Sequence, residues 1–70
     1  MATATQREIY YNAIHADQGY SEAIQDAFGP KATRWTVEYA DKMRIPAVAQ
    51  AYDYKRQCDD AVLAMLRESR

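Results

Sequence analysis

The sequence has few of the large aliphatic residues that usually build the core of a small protein. It contains two leucines, four isoleucines, three valines and one phenylalanine among 70 residues, against thirteen alanines and six tyrosines. At this length a single core is marginal, because much of the surface stays exposed after folding. The formal net charge of −1 nevertheless lacks the excess charge typical of disordered chains. We therefore predict one folded domain over residues 1–70 with little stability to spare.

Several classes of function are disfavoured by what the chain lacks. One cysteine cannot form an internal disulfide, so a reducing, cytoplasmic location is expected. The nine basic and ten acidic residues are spread along the chain and create no field that attracts nucleic acid. The sequence has no signal peptide pattern and no apolar run near the roughly 18 residues of a membrane span. Nucleic acid and membranes are therefore not the expected partners.

Groups that could carry catalysis or bind a metal are equally scarce. His15 and Cys58 are the only histidine and the only cysteine, and neither lies in a local sequence typical of a nucleophile site. No set of His, Cys and carboxylate residues has the spacing of metal ligands. Gly19 and Gly29 do not form a phosphate-binding loop. The sequence thus predicts a protein without enzymatic activity, metal or cofactor.

The clearest structural signal is in the last third of the chain, where residues 46–67 are predicted to form one amphipathic helix. Pro46 suits the first helical position, since its missing N–H has no intrahelical partner there in any case. Lys55 interrupts the apolar stripe, and we expect its ammonium to reach Asp59 one turn later. The stripe consists of Ala47, Val48, Ala51, Cys58, Val62, Met65 and Leu66.

Two shorter helices are predicted before it. Thr5 and Glu8 have the spacing of a capping box, which starts a helix over residues 5–18, and Gly19 is expected to end it. Ser21 then caps a second helix over residues 21–28, which ends at Gly29. The predicted inward residues are Ile9, Tyr10, Ala13, Ile14 and Ala16 in the first helix, and Ala23, Ile24, Ala27 and Phe28 in the second.

Residues 31–44 are ambiguous between helix and strand. Trp35, Val37 and Tyr39 alternate with polar residues as in a strand, but a lone strand has no partner. A helix over residues 31–44 places Trp35 inward and pairs Glu38 with Lys42, while Val37 points outward. We favour the helix for its length and pairing, although the alternation leaves residues 33–39 open. The fold class is therefore an all-α bundle of three to four helices.

The leading functional hypothesis is a non-enzymatic protein-binding module. Tyrosine carries a large apolar ring and a polar hydroxyl, and it is enriched in protein interfaces. A chain rich in tyrosine and poor in leucine is thus suited to complete its core against a protein partner or its own copy, as a homodimer or a subunit of a larger assembly. Small helical regulators, inhibitors and accessory subunits act in this way. The candidate contact residues are Tyr11, Val37, Tyr52, Tyr54 and Lys55.

The alternative hypothesis is a helix-turn-helix that binds DNA. A short helix over residues 21–28, a turn with Gly29 and a following helix match that arrangement. Lys31, Thr33 and Arg34 would then contact DNA from the start of the recognition helix. Glu38 on the same helix and the lack of a basic excess argue against this alternative.

Overall fold

Three helices account for most of the chain. The computed structural model describes residues 5–68, in which α1 spans Gln6–Phe28, α2 spans Tyr39–Met43 and α3 spans Pro46–Glu68. No strand occurs within residues 5–68, so the predicted all-α class is confirmed. The predicted last helix, 46–67, is also confirmed, and it begins at Pro46 as expected.

The outer ends of α1 follow the local sequence signals. The side-chain oxygen of Thr5 accepts a hydrogen bond from the backbone N–H of Glu8 at 3.2 Å, which satisfies one unpaired donor of the first turn. At the other end, Gly29 has φ 112° and ψ 161°, a conformation that is essentially restricted to glycine. Its N–H donates to the carbonyl of Gln25 at 2.8 Å. The predicted start at Thr5 and stop at Gly29 are therefore correct.

The predicted break at Gly19 is wrong, because residues 5–18 and 21–28 belong to one continuous helix, α1. Ala16, Tyr20 and Ile24 are buried at spacings of four residues, so the buried stripe runs past Gly19 without interruption. Packing against α3 on both sides of Gly19 offsets its conformational cost, which is about 1 kcal/mol relative to alanine. Burial thus overrides the local preference of glycine.

The predicted helix over residues 31–44 is also wrong over most of its length, and so is the strand alternative. Only Tyr39–Met43 is helical. The Thr36 hydroxyl accepts from the backbone N–H of Thr33 at 2.8 Å, and the Thr33 hydroxyl accepts from that of Thr36 at 3.2 Å. These side chains compete with helical backbone bonds and form a turn. Trp35, expected inward, is 85% exposed.

The two long helices pack antiparallel and enclose the core at one end of the molecule. Near this end Tyr20 of α1 contacts Tyr52 of α3, with ring centroids 5.4 Å apart. The core cluster at this end consists of Tyr20, Ile24 and Val48, and Ala16, Cys58 and Met65 are buried further along the helix pair. Other apolar residues pack around it, and several come from the connecting segment, which we define as residues 29–45 including α2. They are Ala23, Ala32, Val37, Ile45, Ala51 and Tyr52.

The connecting segment covers one face of this helical hairpin over half of its length. The α1 residues of this face follow at alternating spacings of four and three: Tyr10, Ile14, Asp17, Ser21, Ile24 and Phe28. The connecting segment covers Ile24 and reaches Asp17 and Ser21 through Arg34. Tyr10 and Ile14 lie beyond it and are 44% and 57% exposed. We call this uncovered part, α1 up to Asp17 and α3 from Asp59 onward, the open half of the face.

The two glycines provide a matched test of this fold. An added Cβ at Gly19 meets nothing within 4 Å, so Gly19→Ala is expected to stabilise the protein by about 0.5–1 kcal/mol. Gly29→Ala places a side chain at φ 112° and is expected to destabilise it by about 1–3 kcal/mol. Urea unfolding followed by far-UV circular dichroism measures both. A loss of stability in Gly19→Ala would contradict a continuous α1.

Candidate functional site

An apolar depression lies in the open half of the face. It is a groove of about 590 Å³ between α1 and α3. Tyr10, Ile14 and Leu63 form its walls and are 44%, 57% and 51% exposed, while Ala13 and Val62 form its half-buried floor. Asp17, Gln18 and Asp59 complete the lining at its inner end. Large exposed apolar side chains that share one concave surface are typical of a docking site.

Two ion pairs close the inner end of the groove. The Arg34 guanidinium donates to Asp17 Oδ1 at 2.6 Å and to the Ser21 hydroxyl at 2.8 Å. On α3, the Lys55 ammonium donates to Asp59 Oδ2 at 2.7 Å, which confirms the contact expected from their spacing. These groups form a polar belt, defined as Asp17, Ser21, Arg34, Lys55 and Asp59. The belt separates the covered core from the open groove.

Arg34 fixes the connecting segment to α1. Its guanidinium lies over two aromatic rings, 5.1 Å from the Tyr20 centroid and 5.4 Å from the Trp35 centroid. A planar guanidinium can bond in its plane and stack on its faces at the same time, which an ammonium cannot do. The buried Lys42 supports this arrangement, because its ammonium donates to the Arg34 carbonyl at 2.9 Å. The predicted Glu38–Lys42 pair is therefore wrong.

A smaller depression of about 280 Å³ lies on the opposite face of the hairpin. Tyr54 and Cys58 contribute to its lining together with Ile9 and Asn12 of α1. A hydrogen bond with the Cys58 thiol and the charge of that group raise the pKa of the Tyr54 hydroxyl. Cys58 is buried, as expected for a free cysteine on an apolar stripe.

The structure does not bring the five candidate contact residues together. Tyr11 is exposed and stacks on His15, with ring centroids 4.4 Å apart. Tyr54 is exposed on the face opposite the groove. The outward position predicted for Val37 is wrong, because Val37 and Tyr52 both pack against the core. Lys55 belongs to the polar belt at the edge of the groove.

The structural premise of the DNA-binding alternative is wrong. No helix begins near Lys31, since residues 29–37 form turns and irregular backbone. Thr33 uses its hydroxyl within the turn, and Arg34 is engaged by Asp17 and Ser21. Lys31 is exposed on the connecting segment. These three residues therefore do not form the first turn of a recognition helix.

The sequence did not predict the groove, because Tyr10 and Ile14 were expected inside the bundle. The signal that identifies their common face is the alternation of four and three residues along α1, which continues from the groove into the core. That alternation shows which residues share a face. It does not show where along the face the connecting segment stops.

Other kinds of site are not found in the described chain. Residues 5–68 contain no group of three or more His, Cys, Asp or Glu side chains that could hold a metal ion. Within the same range, no helix combines the length and the apolar character needed to cross a membrane. Comparisons with family models, with curated proteins and with solved structures found no match to this chain. The functional argument therefore depends on the geometry of the chain itself.

The role of Arg34 can be tested by a substitution that keeps its charge. Arg34→Lys loses the paired hydrogen bonds to Asp17 and Ser21 and the stacking on two rings. We expect a loss of about 1–2 kcal/mol in the free energy of unfolding, measured in urea. Lys31→Ala, an exposed change on the same segment, should stay within about 0.5 kcal/mol of the wild type. If Arg34→Lys were as stable as the wild type, a positive charge alone would be enough to hold the connecting segment on α1.

Proposed function

We propose that this chain is a non-enzymatic protein-binding module that docks through the groove in the open half of its face. The observation that carries the proposal is the exposure of Tyr10, Ile14 and Leu63 around one apolar groove of about 590 Å³. The same face, further along, is covered by the connecting segment and forms the core. A second helical element placed on the open half would bury these side chains in the same way.

The chemistry of the groove selects the kind of partner. Its floor runs between two helices, so it suits the apolar side of a helix with residues at spacings of three and four. The polar belt at its inner end carries two acidic and two basic side chains, so it offers polar contacts where the apolar stripe of the partner ends. The function is thus recognition of an amphipathic helix, as in small regulators, inhibitors and accessory subunits. One buried free cysteine suits a cytoplasmic setting.

Site-specific photocrosslinking tests this function. Benzoylphenylalanine replaces Leu63, whose side chain lines the groove, or Ala64, its exposed neighbour outside the groove. The modified chains are expressed in the cells that naturally contain the protein and are irradiated. We expect the position of Leu63 to give a discrete protein adduct, because the groove is covered by a partner, and the position of Ala64 to give little.

Benzoylphenylalanine at the position of Ile14, which also lines the groove, is a control for effects that the substitution at Leu63 has on its own surroundings. It should give an adduct of the same mass, since both side chains line one site. Adducts of equal yield from Leu63 and Ala64, or no adduct from either groove position, would contradict docking through this groove. Circular dichroism of each modified chain establishes that the helices are intact.

A further inference from the structure

We infer that the docking site does not end at the polar belt: it continues along α1 into a second depression, where Trp35 anchors the partner helix. This inference rests on the proposed function of the groove and assigns a further residue to the same site. Three features of the described residues support it: the position of the second depression, the exposure of a tryptophan that is fixed in place, and the polar lining.

The second depression is continuous with the groove along α1. It has a volume of about 280 Å³, lies between α1 and the connecting segment, and shares Asp17 with the groove. Ile14 and Gln18 line the groove, while Ser21 and Gln25 line the second depression. These four residues follow at spacings of four, three and four, so they form one stripe of α1. A helix that lies along this stripe contacts both depressions.

Trp35 forms the rim of the second depression on the side of the connecting segment. Its side chain is 85% exposed, so its burial contributes nothing to the core. The residue is nevertheless held in place, because its N–H donates to the Thr33 hydroxyl at 3.3 Å and its ring lies 5.4 Å from the Arg34 guanidinium. A large ring that is ordered before binding loses little entropy on contact, and tryptophan is enriched among the residues that dominate binding energy.

The lining of the second depression differs from that of the groove in being polar. The carboxylate of Asp17, the hydroxyl of Ser21 and the amide of Gln25 line its α1 wall. Within residues 5–68 the Gln25 side chain has no hydrogen-bond partner, so both its N–H groups and its carbonyl can bond to a ligand. The partner helix is therefore apolar where it lies in the groove and carries amide or hydroxyl side chains where it passes Gln25.

The combined length of the two depressions sets the length of the partner helix. From Tyr10 to Gln18 the groove follows α1 for about 12 Å, or roughly two turns. With the second depression the site extends from Tyr10 to Gln25, about 22 Å, or roughly four turns. We therefore expect a partner helix of at least four turns, with an apolar half and a polar half on the same side.

Photocrosslinking at Trp35 tests this extension in the cells that naturally contain the protein. Benzoylphenylalanine replaces Trp35, which keeps a large ring at this position, or replaces Tyr39 as the matched control. Tyr39 is an exposed aromatic residue of the same segment and lines neither depression. We expect the position of Trp35 to give an adduct with the same protein as the position of Leu63, and the position of Tyr39 to give little.

A truncation measures how much Trp35 contributes. With benzoylphenylalanine at Leu63, Trp35→Ala should lower the yield of the Leu63 adduct by about ten-fold, because the loss of an anchoring tryptophan weakens binding by at least that factor. Trp35→Phe should retain most of the yield. The circular dichroism and the urea midpoint of Trp35→Ala should stay close to those of the wild type, since the ring is exposed. A purely structural role of the ring would lower that midpoint and leave the Trp35 position without an adduct.

The outcomes separate this inference from the function on which it rests. A Leu63 adduct whose yield is unchanged by Trp35→Ala, with no adduct from the position of Trp35, overturns the extension and leaves docking in the groove intact. A different protein captured at Trp35 also overturns the extension, because the two depressions would then be separate sites. Adducts of twice the mass of the chain at both positions would identify a second copy as the occupant and overturn the partner helix inferred here. No adduct from any of these positions overturns both proposals.

Discussion

The fold depends on how the connecting segment is fastened to α1. This segment contains one helix of five residues, α2, and its turns carry little regular backbone bonding. Arg34 fixes it through hydrogen bonds to Asp17 and Ser21 and through cation–π contacts with Tyr20 and Trp35. The ammonium of Lys42 holds the Arg34 backbone from the other side. One guanidinium thus places Ala32 and Val37 over the core.

The same interaction determines how far the connecting segment covers the two long helices. Beyond the polar belt the two long helices continue, but no further segment within residues 5–68 covers them. The side chains on this face are still apolar, like those of a protein interior, since Tyr10, Ile14 and Leu63 line an apolar groove. The consequence of having few large aliphatic residues is therefore seen at one end of the hairpin, where apolar side chains have no cover. The proposed docking function follows from this half-covered face.

The sequence predicted the helical class, the start at Thr5, the stop at Gly29, the full extent of α3 and the Lys55–Asp59 pair, because these depend on contacts within a few residues. It did not predict the continuity of α1 through Gly19, where packing against α3 outweighs a local preference. The Thr33–Thr36 turn also escaped prediction, since two hydroxyls there replace helical backbone bonds. The groove requires knowledge of how far the connecting segment extends, which depends on the long-range contact between Arg34 and Asp17.

The central claim is that the open half of the face is covered when the protein binds its partner. Hydrogen exchange measured by mass spectrometry on the purified chain and on the chain isolated with its bound partner tests it most directly. The account predicts that amide protection in residues 9–14 and 62–66 is higher in the complex, while protection in residues 20–24 and 48–52, which belong to the covered half, is the same in both samples. Protection that is the same in both samples throughout, or that is higher only outside the open half, would contradict it.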